Sequence, residues 1–212
     1  MKYNRTYHFP FSEGATNDDK IQHDWKGILQ NEIVMTEKLD GENTCIKTDG
    51  FFARSHAAPT RNAWAQNMLP VWERVRHELG DLEVFGENLY GVHSIEYEKL
   101  PAYFFIFAIR ENGFWLAWED VKTYAALLDL PTVPVFKQQI FTEKTLQQTI
   151  AEGLQNGSAF GGECEGFVCR NANAFANDDF AFNVLKYVRA NHVQTNEHWS
   201  RNWQRAKLEF EK

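Results

Sequence analysis

The sequence predicts an α+β domain of mainly antiparallel sheets with flanking helices, and three observations carry that prediction. Short apolar stretches rich in aromatic and β-branched residues are punctuated by glycine turns, Asp49-Gly50 and Asn112-Gly113 being the sharpest hairpin signals. Helical periodicity comes between these hairpins rather than in strict alternation with strands, which argues against a doubly wound parallel sheet. No Pro/Gly/Ser-rich linker, internal repeat or low-complexity tract divides the 212 residues, a length that suits one domain able to bury a sizeable core.

Residues 1–31 are polar and turn-rich, with Asn17-Asp18-Asp19 and Gly27. Residues 32–36 read as a strand that leads into Lys38. Residues 44–48 and 51–54 are the arms of the Asp49-Gly50 hairpin. Residues 62–79 read as helical, with Trp72, Val75 and Leu79 on one face and Pro70 restarting the helix. Strands follow at 83–87 and 103–109, and Glu111-Asn112-Gly113 turns the second into 114–118. Helices are predicted near 119–129 and 143–155, the latter with Leu146, Ile150 and Leu154 on one face. Two late strands span 165–170 and 180–188, and an amphipathic helix over 196–210 sets Trp199, Trp203 and Phe210 on one face.

Composition excludes several classes. Hydrophobic residues at 43% and aromatics at 15% exclude a disordered chain. A net charge of -7 argues against a protein that grips long nucleic acid through phosphate contacts alone, so any such contact is local. The cysteines, Cys45, Cys164 and Cys169, are odd in number and form no CxxC pair, so buried reduced thiols are expected. No HxH or HExxH spacing suggests a zinc site, no serine sits in a GxSxG elbow, and no P-loop or dinucleotide fingerprint is present. The N-terminus carries no apolar signal core and no segment approaches the roughly 20 apolar residues of a membrane span, so a cytoplasmic protein is expected.

Chemistry concentrates at Thr36-Glu37-Lys38-Leu39-Asp40-Gly41. A lysine attacks phosphorus only as the neutral amine, and its ordinary pKa of about 10.4 leaves little amine at neutral pH. Burial and nearby cations would lower that value, and a strand end inside a cleft is one way to arrange both. Gly41 is expected to let the backbone turn sharply and approach a nucleotide closely. Glu37 and Asp40 are placed to set charge around the amine.

The run from Glu37 to Asn43 resembles motif I of the covalent nucleotidyltransferases, and of their RNA ligase 2 branch in particular, where an Asn follows shortly as Asn43 does here. The later motifs appear in the family's order. Phe52-Ala53-Arg54-Ser55 resembles motif Ia, Phe85-Gly86-Glu87-Asn88 motif III, Phe105-Ile106-Phe107-Ala108 motif IIIa, Glu165 to Arg170 motif IV, and Val184 to Arg189 motif V.

The resemblance implies a single adenylyltransferase domain over 1–212, with motifs from 37 to 189 and a C-terminal helix in 190–212. With so little chain beyond motif V, no C-terminal OB domain is expected. It implies an ATP-dependent RNA ligase: Lys38 takes AMP from ATP, passes it to a 5′-phosphate, and a 3′-hydroxyl then displaces it. The catalytic set is Lys38, Lys186 and Arg54. Glu37, Asp40, Asn43, Glu87, Phe107, Arg170 and Lys186 bind the cofactor, Phe107 against adenine and Glu87 at the ribose. Glu165 serves a Mg2+ or Mn2+ ion. The substrates are RNA ends, a partner protein supplies RNA affinity, and a monomer is expected.

Motif V departs from the pattern. The branch carries two lysines spaced by one residue, whereas Lys186 is followed by Val188 and then Arg189, which on a strand points to the opposite face. Other readings are an ATP-dependent DNA ligase, a capping-type guanylyltransferase, or a non-catalytic module that binds nucleotides or RNA ends. The guanylyltransferase is disfavoured by the missing further domain, and the binder by the presence of the nucleophile.

Overall fold

A computed structural model describes residues 2–54, 57–192 and 203–211. Two sheets face each other. The first contains β1 (Tyr7–His8), β2 (Glu32–Glu37), β8 (Val135–Ile140), β9 (Gly166–Asn171) and β11 (Val184–Val188), in the order β1-β11-β9-β2-β8. The second contains β3 (Glu42–Lys47), β4 (Gly50–Ala53), β5 (Glu83–Asn88), β6 (Phe104–Glu111), β7 (Phe114–Trp115) and β10 (Phe175–Ala176), in the order β10-β7-β6-β5-β3-β4. Every described pairing between named strands is antiparallel except β1 with β11, which run parallel.

Helices α1 (Met68–Val75), α2 (Trp118–Leu127), α3 (Glu143–Asn156) and the single turn α4 (Phe180–Asn183) join and flank the strands. The predicted helix near 119–129 is α2, and that at 143–155 is α3. Thr142 caps α3, its hydroxyl accepting from Thr145 N while the Thr145 hydroxyl accepts from Thr142 N. Leu146 and Ile150 are the buried side chains of its apolar stripe, with Leu154 packed beside them.

Alternation along the central strands builds three cores. On β2, Ile33 and Met35 enter the core beneath the first sheet with α3, while Val34 points into the opposite one with α1 and α2. On β9, Phe167 and Cys169 join the α3 core, and Val168 turns into the space between the sheets. That inter-sheet core holds Phe85, Ala108, Trp115, Phe175 and Phe180, so aromatic side chains form the floor on which a cleft opens. The three cysteines are buried and free, as expected.

Several expectations need correcting. Residues 180–183 form the turn α4 before β11, not a continuous strand; Asn183 Nδ2 donates to Asp179 O and closes it. The 62–79 segment divides into a 3-10 turn at Ala63–Ala65 and α1, with Pro70 inside the first turn of α1, where its missing N–H costs nothing. The helix over 196–210 is absent where it is described. Residues 203–208 are extended, Arg205 bridging Gly91 and Leu208 bridging Leu100, before a 3-10 turn at Glu209–Glu211. Its remainder, with Trp199, lies outside the described residues, as do Ser55 and His56. Strand β8 was not anticipated because Lys137-Gln138-Gln139 is polar, and an edge strand tolerates that. No described helix is long and apolar enough to cross a membrane.

Gly41 lines the cleft and also meets a packing demand. A Cβ there would lie 2.5 Å from Asn88 O and 2.6 Å from a Leu89 methyl, so the glycine lets the turn after Lys38 press on the end of β5. Gly41→Ala is therefore expected to cost roughly 2 kcal/mol and lower Tm by about 6 °C in a thermal melt.

Candidate active site

A cleft of about 650 Å³ opens between the sheets. Its walls include Glu37, Lys38, Asn43, Arg54, Glu87, Phe107, Arg170 and Lys186, so residues scattered over most of the sequence converge on one space. Strand ends deliver them. Lys38 follows β2, its N–H donating to Gly166 O at 2.9 Å across the ladder with β9. Asn43 and Glu87 are cross-strand partners on β3 and β5. Arg54 follows β4, with its N–H on Asn43 O at 3.1 Å. Phe107 lies on β6 and Lys186 on β11.

Lys38 Nζ lies 2.6 Å from both carboxylate oxygens of Glu165. Burial disfavours the ammonium, but Glu165, Glu87 and Asp40 outweigh it, and Lys38 is held above the ordinary lysine value. This corrects the expected depression: the cations that were to surround the amine are outnumbered here by carboxylates.

Asp40 is fixed by the loop after β5. Its Oδ2 accepts from Ser94 N at 2.8 Å, Ser94 Oγ at 2.7 Å and Ile95 N at 2.9 Å, and its own N–H donates to Tyr97 Oη at 2.8 Å. Burial works against its charge, yet the Ser94 bonds prevail and its pKa stays below the ordinary value. Glu37 Oε2 accepts from Ala159 N at 2.9 Å, and burial raises the pKa of this carboxyl. Glu87 is pushed up to about 8 by burial, with Lys38 opposing and Glu165 and Asp40 reinforcing the shift. At neutral pH it is mostly a neutral carboxyl, able to donate as well as accept a hydrogen bond.

Arg170 is committed elsewhere. Its guanidinium donates to Leu116 O at 2.6 Å and Asn171 O at 3.1 Å, and lies over the rings of Trp118 and Phe175. These bonds use two of its five N–H donors and brace the cleft wall, which Arg170 itself lines. Arg189 pairs with Glu163 and does not line the cleft, so it does not stand in for a second motif V lysine.

The N-terminal segment contributes what sequence reasoning missed. Tyr3 sits in an aromatic nest, its ring centroid 5.1 Å from Phe107 and 5.3 Å from Trp115. Arg5, Thr6 and Asp19 also line the cleft. Asp19 Oδ1 lies 3.6 Å from Lys186 Nζ and 3.2 Å from His8 Nε2, and His8 Nδ1 shares a 2.7 Å hydrogen bond with Ser12 Oγ. Burial, then Lys186, pushes the fully buried His8 down to about 4, so it stays neutral while Asp19 carries the charge facing Lys186. The only sequence signal was the acidic turn Asn17-Asp18-Asp19, which resembles any surface turn.

Asp40, Glu165 and His192 each offer one ligand atom, all within 4.8 Å of one another, a donor set that suits a divalent cation. His192 Nε2 is 3.4 Å from Glu165 Oε1.

A lysine at a strand end, backed by carboxylates and opening onto a cleft between two mainly antiparallel sheets, defines a nucleotidyltransferase fold of the ligase kind. Solved structures share it. The chain is similar to an archaeal ATP-dependent RNA ligase (form 2) at TM-score 0.62 and 19% identity, over 88% of this chain and 48% of that one. It resembles a putative ATP-dependent DNA ligase from Aquifex aeolicus at TM-score 0.57 and 21% identity, over 88% and 49%. It also resembles a mutant Naegleria gruberi RNA ligase with ATP and Mn at TM-score 0.55 and 16% identity, over 89% and 61%. The chain thus spans about half the length of the archaeal and Aquifex proteins. No curated protein matches it by sequence. The RNA ligase family model matches residues 31–188, and the chain belongs to the RNA ligase family.

The raised Glu87 value has a sign that can be measured. Between its ordinary 4.5 and about 8 the folded state binds more protons than the unfolded one, so this group makes stability fall as pH rises. Glu87→Gln removes that loss. The variant is expected to exceed the wild type by roughly 4 kcal/mol, or ~12 °C in Tm, at pH 8.5 without ligand, with the difference vanishing near pH 4.

Proposed function

We propose that this chain is the nucleotidyltransferase domain of an ATP-dependent RNA ligase and that Lys38 is its nucleophile. The observation that carries the reading is the placement of Lys38: its Nζ opens onto the inter-sheet cleft and is gripped by a carboxylate 2.6 Å away. That grip aims the side chain and offers an acceptor for the proton the ammonium must lose before attack. The amine attacks the α-phosphorus of ATP, the bond to the pyrophosphate oxygen breaks, and AMP stays on Nζ. The AMP then passes to an RNA 5′-phosphate, and a 3′-hydroxyl displaces it to form the phosphodiester.

The other residues take positions suited to the nucleotide. Phe107, with Val168 also lining the cleft, provides an apolar slot for adenine. Glu87, as a neutral carboxyl beside Asn43, meets the ribose hydroxyls. Glu37, with one carboxylate oxygen lacking a hydrogen-bond partner, faces the same space. Lys186 and Arg54 meet the phosphates. Asp40, Glu165 and His192 would hold a Mg2+ or Mn2+ ion, which when bound neutralises phosphate charge. The family match and the ATP- and Mn-bound relative support this choice of cofactors. The three buried free thiols suit a reducing cytoplasm. A net charge of -7 suits a monomer whose affinity for RNA ends is raised by a partner protein.

The test is incubation with α-labelled ATP and Mg2+ or Mn2+ followed by a denaturing gel. The wild type is expected to carry label and Lys38→Ala to fall to background. Sealing of nicked and single-stranded RNA by the full chain then reads the later steps. Absence of label on wild-type protein with both metals would sink the proposal.

A further inference from the structure

The cleft cations divide by what already holds them. Lys38 is gripped by Glu165, Lys186 faces Asp19, and the buried Arg170 spends two of its five N–H donors on main-chain carbonyls. An arriving anion must compete with those partners, and separating a half-buried pair costs more than recruiting a solvated cation. Among the described residues, Arg5, Arg54 and Arg170 are the cleft cations with no carboxylate partner; Arg170 is buried against Leu116 O and two aromatic rings, whereas Arg5 and Arg54 are exposed. Arg54 belongs to a recognised motif, whereas Arg5 precedes the matched span of residues 31–188.

We propose that Arg5 is a binding residue for the β- and γ-phosphates of the nucleoside triphosphate, a role that rests on the reading of Lys38 as the AMP acceptor. Its position fits. The parallel pairing of Tyr7 with Leu185 and His8 with Lys186 lays the N-terminal segment along β11. The Arg5 guanidinium donates to Asp18 O, and the next residue, Asp19, contacts Lys186. Arg5 therefore stands at the Lys186 end of the cleft, while Tyr3 packs on Phe107 at the end assigned to the base.

Its chemistry fits as well. The guanidinium is exposed and always charged, and its planar fork matches two phosphate oxygens. Motif V supplies a single lysine to the cleft, and Arg189 is tied to Glu163 outside it. Arg5, arriving from the neighbouring parallel strand, restores a second cation beside Lys186.

A phosphate could also come from the RNA 5′ end, and single-step assays separate the two sources. Wild type, Arg5→Ala and Arg5→Lys are compared in lysyl-AMP formation over a range of ATP, in AMP transfer from pre-labelled enzyme to 5′-phosphate RNA, and in joining of pre-adenylylated RNA without ATP. Tm is recorded for each. The expected result is about a tenfold or greater rise in the ATP concentration needed for half-maximal labelling by Arg5→Ala, partly recovered in Arg5→Lys, with the effect confined to labelling. Unchanged labelling overturns the proposal. So does a loss confined to AMP transfer, which would place Arg5 on the RNA end, or an equal loss in all assays with a lowered Tm. If the wild type takes no label, the Lys38 reading fails by itself. Equilibrium binding of ATP to wild type and Arg5→Ala then decides for Arg5 separately, equal affinity being the overturning result.

Discussion

The contact between Lys38 and Glu165 ties the site to the fold. Lys38 follows β2 and Glu165 precedes β9, and these strands are hydrogen-bonded neighbours up to Glu37 and Phe167. The backbone continues the join, with Lys38 N on Gly166 O and Arg189 N on Glu165 O, so β11 is drawn to the same point. Three central strands of the first sheet thus end together, and their last side chains meet over the aromatic floor between the sheets. A side chain placed by a ladder rather than a loop has little freedom to wander.

Charge in this region is balanced by crowding. Lys38 is surrounded by Glu165, Glu87 and Asp40, and they hold its proton on. Burial, reinforced by Glu165 and Asp40, keeps a proton on Glu87. Asp40 escapes that outcome because the Ser94-Ile95 turn supplies three donors to one oxygen, whereas Glu87 has no comparable set. Two acids near one lysine therefore differ in charge because of local hydrogen bonding.

Much of this was legible in the sequence. The hairpins at Asp49-Gly50 and Asn112-Gly113, α2, α3 and the strands carrying Lys38, Glu87 and Phe107 follow from turn chemistry and periodicity, which act over a few residues. What was not legible depends on distant pairing. Arg170 reads as a free cation at a strand end until Leu116 O and Trp118 are seen to enclose it. The raised pKa of Lys38 depends on a carboxylate 127 positions away. Tyr3, Arg5 and Asp19 sit in a polar leader whose two-residue strand β1 is too short for any pattern to reveal. Phe180 to Asn183 mimics a strand in composition and turns only because the chain must cross from β10 to β11.

That small parallel strand also bears on when the cleft can exist during synthesis. Tyr7 pairs with Leu185 and His8 with Lys186, so β1 can join the sheet only once distant β11 is in place. The hairpin of β3 and β4 can close early because its arms are adjacent, but one wall of the nucleotide cleft forms by a contact spanning most of the chain. Until then Phe9, Trp25 and Ile28 lack the Leu185 and Tyr187 side chains of their core. Closure of this wall is therefore a late, long-range step of folding, and the aromatic N-terminal segment stays without part of its core until β11 has paired.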